Sequence, residues 1–239
     1  MRVCAGTHKG LIRSRNEDSY GATGLVPSRV DGTVVATDLA HLPGLSVVAD
    51  GLGGHPSGDV ASAFAVESLL TAGPADAAGL VAAVHAANRA LVDHMSAVPT
   101  TRGMGTTVAA VLILREGLAV VNVGDSPVLE LVGDRLIQLT VDDVAPLGGF
   151  TSGPSSALTQ SLGGGQSTRE ITPHVYEDRL SGARRLLLCS DGLTSFVRRE
   201  LIVDALRNDD PRRAVETLLT LALESGGGDN VTCLVVDRG

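Results

Sequence analysis

Acidic residues beside glycine recur along this chain at what read as the ends of strands. Asp50-Gly51, Asp191-Gly192 and Gly228-Asp229 have this form, and Glu17-Asp18 adds a fourth acidic point near Arg13. Carboxylate oxygens are ligands that Mg²⁺ and Mn²⁺ prefer, and glycine lets its own carbonyl turn toward the same ion. A single Asp-Gly pair is weak evidence because it is also a common turn dipeptide. Four acidic points together indicate a site for hard divalent cations, with metal-assisted hydrolysis of a phosphate ester as the hypothesis.

The apolar pattern predicts mostly antiparallel strands and two pairs of helices that would position these acidic points. The segment 106–114 is apolar on both alternating faces, which is typical of a strand buried between two layers. A turn at 115–117 leads into the apolar segment 118–123, so we predict a hairpin here. Further strands are predicted over 3–7, 33–37, 45–49, 127–131, 135–139, 185–189 and 231–236. Helices are predicted from the apolar spacing over 59–70, 77–95, 196–207 and 211–224.

The chain shows no boundary that would divide it into two domains. No proline-rich or polar linker interrupts it, and the candidate site residues are spread from position 13 to position 229. A site spread in this way requires both ends of the chain to fold together, so we predict a single domain over 1–239. The segment 142–165 has little periodicity and much Gly, Ser and Pro, which predicts an irregular and mobile surface segment beside the site.

Composition argues against nucleic acid and membrane partners. The formal net charge is −8 at pH 7 and aromatic residues make up 2% of the chain, whereas nucleic acid binders need clustered Lys and Arg or aromatic platforms. The longest apolar run, 108–114, is too short to cross a bilayer, and the N-terminus lacks a signal-peptide pattern. We therefore predict a cytoplasmic protein with no nucleic acid or membrane partner.

The three cysteines, Cys4, Cys189 and Cys233, are widely spaced among apolar neighbours. A zinc site or a disulfide framework would require paired spacing. We therefore predict three buried free thiols.

Six short motifs surround the acidic points and follow one another over almost the whole chain: Gly10-x-x-Arg13-x-x-Asn16-Glu17-Asp18, Val48-Ala49-Asp50-Gly51-x-Gly53-Gly54-His55, Gly103-Met104-Gly105-Thr106-Thr107, Val123-Gly124-Asp125-Ser126, Leu188-Cys189-Ser190-Asp191-Gly192-Leu193 and Gly227-Gly228-Asp229-Asn230-Val231-Thr232. In this order they resemble the motifs of the metal-dependent protein serine/threonine phosphatases of type 2C, in their bacterial form. The resemblance implies an α+β fold in which two antiparallel β-sheets pack face to face and helices flank both outer sides, as a four-layer α-β-β-α sandwich.

The resemblance also implies a core site for two Mn²⁺ or Mg²⁺ ions. Asp50 would bridge both ions, with the carbonyl of Gly51 on one of them and Asp191 and Asp229 on the other. Asp125, together with Asp191, would complete a third and weaker metal site.

Three residues around this core have further implied roles. Glu17 and Asp18 would hold metal-bound waters or reach a metal directly, and Arg13 would bind the phosphate oxygens.

A hydroxide that bridges the two ions would attack phosphoserine or phosphothreonine in line, without a phospho-enzyme. The implied partners are phosphorylated proteins and the Ser/Thr kinases whose action is reversed, and we expect a monomer.

Three features depart from the family pattern. Leu52 stands where animal members have a His, so the acid that protonates the leaving oxygen differs, and a metal-bound water is the candidate. Pro127 replaces the Arg of the usual Gly-Asp-Ser-Arg segment and provides neither charge nor donor. The flap ahead of Leu158-Thr159 is short, at about 143–157, which predicts a more open site.

Two other functions stay open at this point. A phosphatase-like regulatory binding module would keep the fold without turnover, but it should have lost a central ligand, whereas Asp50, Asp191 and Asp229 are all present. A phosphatase dedicated to a small phosphomonoester or to one regulatory phosphoprotein fits the same residues, because substrate choice lies in surface shape.

Overall fold

The computed structural model describes residues 1–27, 30–52, 57–146, 156–164, 170–179 and 184–238. In chain order, the strands are β1 (Arg2–His8), β2 (Asp18–Ala22), β3 (Val35–Asp38), β4 (Gly44–Asp50), β5 (Gly105–Thr106), β6 (Val108–Ile113), β7 (Leu118–Val123), β8 (Val128–Val132), β9 (Arg135–Gln138), β10 (Val144–Pro146), β11 (Ser156–Leu158), β12 (Leu162–Gly163), β13 (His174–Asp178), β14 (Arg184–Cys189) and β15 (Val231–Arg238). The α-helices are α1 (Gly58–Ala72), α2 (Ala77–Ala97), α3 (Asp191–Thr194), α4 (Arg199–Leu206) and α5 (Pro211–Glu224). Within the ranges given above, the structure has no helix that is long and apolar enough to span a membrane.

Most of these strands belong to two antiparallel sheets. The first sheet has the order β3-β1-β15-β14-β8-β9, and the second has the order β13-β7-β6-β4-β2. The predicted hairpin of β6 and β7 is confirmed, with Ile113 opposite Leu118. The hairpin of β8 and β9 is confirmed as well, with Val132 opposite Arg135. In the first sheet, β15 lies between β1 and β14, so the two ends of the described chain share one sheet.

The two faces of the second sheet are both buried, as its central strand β6 shows. All six residues of β6 are buried. Ala110 and Leu112 belong to the hydrophobic cluster that contains α1 and α2 residues. Val111 and Ile113 belong to the cluster that joins the two sheets. Successive side chains of a strand point to opposite faces, so β6 packs against helices on one face and against the first sheet on the other.

The first sheet repeats this arrangement on its own outer face. Val235 of β15 packs in a cluster with α4 and α5 residues, whereas Leu234 packs in the cluster between the sheets. The layers therefore run from helices to sheet to sheet to helices. The predicted α+β fold, a four-layer α-β-β-α sandwich, is confirmed.

Four parts of the secondary structure differ from the sequence prediction, and the first is α3, whose four residues are too few to show a helical period. The strands β2 and β13 are missing from that prediction, because they are edge strands of the second sheet whose polar or Gly-containing sequences lack an apolar run. The irregular segment predicted over 142–165 is wrong for its described part, which contains β10, β11 and β12; strands of two or three residues are too short to show a period. The helix predicted from 196 begins at Arg199, because the backbone of Arg198 is extended, with φ −63° and ψ 142°.

The predicted flap falls only partly on described residues. Its base is a short ladder in which Val144 lies opposite Leu158. Residues 147–155 lie outside the described residues, so its length and openness stay predictions.

The thiol groups of the three cysteines are buried and free, as predicted. Burial raises the pKa of the Cys4, Cys189 and Cys233 thiols, so they stay protonated near neutral pH. Protonated thiols are poor nucleophiles and poor metal ligands.

The interface between the sheets can be tested with Leu234→Ala. Leu234 is completely buried in the cluster between the sheets. We expect the free energy of unfolding to fall by about 2–5 kcal/mol, because apolar burial is lost and a cavity remains. Urea denaturation measures this change. Val132→Ala, at a half-exposed position at the end of β8, should change the same quantity by less than about 0.5 kcal/mol; similar losses in both variants would contradict the described core.

Candidate active site

Two of the candidate carboxylates lie opposite each other in the second sheet. Asp18 begins β2, Asp50 ends β4, and the antiparallel register pairs these two residues. The backbone of Asp50 is fixed by two threonines: Asp50 N donates to Thr107 Oγ1 at 3.0 Å, and Thr106 Oγ1 donates to Asp50 O at 2.9 Å. The motif threonines therefore hold the end of β4 in place, a role that the sequence pattern alone did not reveal.

Two more carboxylates come from the first sheet. Asp191 follows β14 and begins α3, and Asp229 precedes β15. Because β14 and β15 are antiparallel neighbours, the end of one meets the start of the other. A methyl group on Gly192 would collide with the Asn230 carbonyl, so only glycine permits this approach of the two segments.

A hydroxyl group connects the two sheets at this point. Ser190 Oγ donates to Asp18 Oδ2 at 2.7 Å, and it accepts from Thr232 N at 3.0 Å. The carboxylate of the second sheet is therefore tied to the first sheet directly beside Asp191. Ser190, Asp18 and Thr232 are all buried.

The loop that carries Arg13 is attached to the turn before β15 by one side chain. Asn230 Oδ1 accepts from Glu17 N at 2.8 Å, and Asn230 Nδ2 donates to Lys9 O at 2.9 Å and to Arg15 O at 2.8 Å. This residue appears in the quoted motifs but received no role from the sequence. Its three bonds position both Arg13 and Glu17 beside Asp229.

Arg13 itself pairs with one of the candidate metal ligands. Its Nη2 atom lies 2.6 Å from Asp229 Oδ2, and its side chain is 44% exposed. The hydrogen bond to Asp229 raises the pKa of the guanidinium. Contact of Arg13 with a phosphate stays a prediction.

The structure places Asp125 in the turn between β7 and β8. Burial, then the nearby charge of Asp191, raises its pKa to about 6. Asp143, at the base of the flap, supports this turn by accepting from Gly124 N at 2.8 Å, and it also pairs with His174 Nε2 at 2.8 Å. The sequence did not anticipate this pair, because its members are separated by 31 positions and share no motif.

Repulsion dominates the electrostatics around Asp18, Asp50 and Asp191. Burial, followed by the charges of Asp18, Asp191 and Asp229, raises the pKa of Asp50 well above its usual range. Burial raises the pKa of Asp18 to about 7 despite its bond to Ser190. Burial and then Asp229 raise the pKa of Asp191, although a hydrogen bond with Asp50 opposes this shift. The carboxylates therefore lie close enough to disfavour one another's charged forms.

Glu17 stands at the edge of this group. Burial and then Asp59 raise the pKa of its carboxyl. The Glu17 side chain lies near Gly58, at the start of α1. A Cβ added to Gly58 would be 3.2 Å from Glu17 Cδ. Gly51 packs beside the same glycine and the Glu17 carbonyl. The residues Gly53, Gly54 and His55, which follow in the motif, lie outside the described residues.

The donors of this site fit a hard divalent cation. All of the acidic candidates offer oxygen, which Mg²⁺ and Mn²⁺ prefer. Asp18 Oδ1 is buried and has no hydrogen-bond partner among the described residues, so it has ligand capacity that the protein does not use. Among the described residues, no group of three acidic, His or Cys side chains is arranged around a single point in the way that metal ligands are. The carboxylates contact one another in pairs, as Asp50 does with Asp191. A cation would replace this pairwise repulsion with attraction.

The fold and this acidic centre define a metal-dependent phosphatase class, and comparison with known proteins identifies the family. The model of the protein phosphatase 2C family matches residues 29–225 of the chain. The chain therefore belongs to the protein phosphatase 2C family. It is 30% identical to the serine/threonine phosphatase stp of Listeria welshimeri, over 97% of this chain and 94% of that protein.

A mycobacterial relative gives the structural comparison. The chain is 32% identical to the serine/threonine protein phosphatase PstP of Mycobacterium tuberculosis over 99% of its own residues, but it spans only 45% of the length of PstP. The crystal structure of the PstP catalytic domain in complex with two manganese ions matches this chain with a TM-score of 0.80 and 32% identity, over 99% of both chains.

Asn230→Ala tests whether this side chain positions the metal site. The change removes three hydrogen bonds and leaves partners of the Arg13 loop unpaired. We expect the free energy of unfolding to fall by about 2 kcal/mol and Mn²⁺ affinity to fall by about 10–100-fold. Denaturation with urea and calorimetric titration with Mn²⁺ measure the two effects. Asn230→Asp keeps the acceptor for Glu17 N but points an anionic oxygen at the Lys9 and Arg15 carbonyls, so it should lose at least as much stability as Asn230→Ala; a smaller loss in Asn230→Asp would argue against these contacts.

The metal-free protein should lose stability as pH rises from about 4 to about 7. Folding raises the pKa of Asp18 from 3.8 to about 7, so in this interval the folded state holds a proton that the unfolded state has released. The shifts of Asp50 and Asp191 have the same direction. Between pH 5 and pH 7.5 we expect Asp18 to account for a loss of about 2 kcal/mol, measured by urea denaturation with a chelator present.

Asp18→Asn should reduce that slope and stabilise the metal-free protein at pH 7.5. The matched control is Glu116→Gln, in the exposed turn between β6 and β7, which should keep the wild-type slope. A wild-type protein that gains stability over this pH range, or an Asp18→Asn variant with an unchanged slope, would show that the carboxylates do not repel as described.

Proposed function

We propose that this chain hydrolyses phosphoserine and phosphothreonine in proteins in a metal-dependent reaction and so reverses Ser/Thr kinases. The observation that carries the proposal is that acidic side chains from two sheets lie close enough to repel one another beside Arg13. Membership of the protein phosphatase 2C family supports it, as do the names of the relatives, which are serine/threonine phosphatases. The presence of Asp50, Asp191 and Asp229 argues against a regulatory module without turnover.

The proposed metal site holds two Mn²⁺ or Mg²⁺ ions in its core and a third ion at its edge. When bound, the core ions would neutralise the phosphate ester and activate a water for direct attack. The two manganese ions in the PstP structure support the two core ions. The ligands that we propose are Asp50, the Gly51 carbonyl, Asp191 and Asp229 for the core, Glu17 and Asp18 around it, and Asp125 with Asp191 for the third ion.

Arg13 is proposed to orient the phosphate. A guanidinium has five N–H donors in a planar fork, and the bond to Asp229 uses a single terminal nitrogen. Its exposure of 44% leaves the fork accessible from outside the acidic centre. In that position it would offset negative charge on the phosphoryl oxygens and hold the group for in-line attack.

Leu162 of β12 is buried in the hydrophobic cluster that contains α1 and α2 residues. The ladder of β12 with β5 places Leu162 opposite Thr106, which bonds to the Asp50 carbonyl. The whole segment 1–239 is proposed as one catalytic domain with a short flap at about 143–157. We propose phosphorylated proteins and their kinases as its partners. We also propose a monomeric state and a cytoplasmic location.

The proposal is tested by Mn²⁺-dependent release of phosphate from a phosphothreonine peptide. We expect release that stops when a chelator is added, because the carboxylates alone repel an anionic substrate. Asp50→Asn and Asp229→Asn should each lower kcat/KM by more than about 100-fold, since even residues behind metal ligands typically contribute about 10–100-fold.

The control for these variants is Glu116→Gln, which changes one exposed carboxylate without touching the centre. It should keep the wild-type kcat/KM. Metal-independent turnover, or full activity in both Asp variants, would contradict the proposed mechanism. A wild-type protein that binds Mn²⁺ and releases no phosphate would favour the regulatory module instead.

A further inference from the structure

An exposed apolar group beside the candidate phosphate site has no part in the chemistry derived above. It consists of Leu11, Ile12 and Phe196, which we call the apolar lip. Their exposed fractions are 64%, 73% and 40%. Single exposed apolar residues are normal on a protein surface, but a group of them at the rim of a site marks an interaction surface.

Local packing fixes two members of the lip next to the acidic centre. Leu11 N donates to Gly227 O at 2.8 Å, and the Leu11 side chain covers that glycine. The Phe196 ring covers Gly228 so closely that a Cβ there would lie 2.6 Å from it. Gly227 and Gly228 lead directly into Asp229, so both side chains lie at the rim of the centre.

The third member, Ile12, is the chain neighbour of the residue proposed to bind phosphate. Ile12 directly precedes Arg13, whose guanidinium contacts Asp229 at 2.6 Å. An extended peptide advances about 3.3 Å per residue, so the neighbours of a phosphorylated residue held at Arg13 lie within about 7 Å of it. These neighbouring side chains are therefore the part of a substrate that reaches the lip.

We infer that the apolar lip binds an apolar side chain located within two residues of the phosphoserine or phosphothreonine in a protein substrate. The inference rests on the proposed function, because it gives that same site a preference among substrates. The lip adjoins the site at Arg13, so a phosphoprotein segment that reaches Arg13 also contacts the lip. Removal of apolar area from water at this contact lowers the free energy of the bound complex.

The test compares three phosphothreonine peptides of equal length that differ only at the positions next to the phosphothreonine. These positions carry Leu, Ser or Asp. With Mn²⁺ present, we expect wild-type kcat/KM to be about tenfold higher for the Leu peptide than for the Ser peptide, as expected for burial of a few methylene groups. The difference should lie mainly in KM, because the lip contacts the substrate away from the reacting atoms.

Ile12→Ser assigns this preference to the lip. Ile12 is the most exposed member, so its replacement should leave the unfolding temperature unchanged while the Leu-to-Ser ratio of kcat/KM falls to about two or three. The matched control is Val132→Ser, at the end of β8 away from Asp125, which should keep the wild-type ratio.

Three outcomes would overturn the inference. They are equal kcat/KM for the Leu and Ser peptides, a preference for the Asp peptide, and equal changes of the ratio in Ile12→Ser and Val132→Ser. Failure of the proposed function looks different, because no peptide would then release phosphate with Mn²⁺.

Discussion

Repulsion among clustered carboxylates is the constraint on which the rest of this structure depends. Asp50 is half-buried beside other acidic groups, and the charges of Asp18, Asp191 and Asp229 each raise its pKa. Like charges in a medium of low dielectric push their supporting strands apart unless something else holds those strands. The three hydrophobic clusters of the sandwich supply that restraint, since they bind each sheet to its helices and the sheets to each other. A cation-binding centre is thus maintained at a cost in stability that the core offsets.

Polar contacts around the centre also hold in place the segments that carry the acidic groups. Ser190 ties Asp18 of the second sheet to the first sheet, and Asn230 ties the N-terminal loop to the turn before β15. Each of these side chains bonds to groups far away in the chain, with separations between 172 and 221 positions. They fix the relative positions of the acidic groups without adding charge. The centre can therefore be acidic and still have a defined geometry.

Sequence patterns predict the parts of this molecule that have local periods. The strand β6 was predictable because six successive apolar residues require burial on both faces, and the order of the motifs predicted the layers. Edge strand β2 was not predictable, since its burial comes from its neighbour β4 and not from its own composition. The bond of Arg13 to Asp229 and the pair of Asp143 with His174 were also beyond the sequence. Such contacts are set by tertiary packing, which leaves no period in the chain.

The position of β15 bears on how this protein is made in the cell. This strand is the last in the described chain, yet it lies between β1 and β14 in the middle of its sheet. A ribosome delivers β1 long before its neighbour β15 exists, so these contacts of very high sequence separation must wait until β15 has been synthesised. The nascent chain consequently carries an incomplete acidic centre until β15 has been synthesised. It cannot assemble the site, or bind divalent ions in it, until β15 has left the exit tunnel.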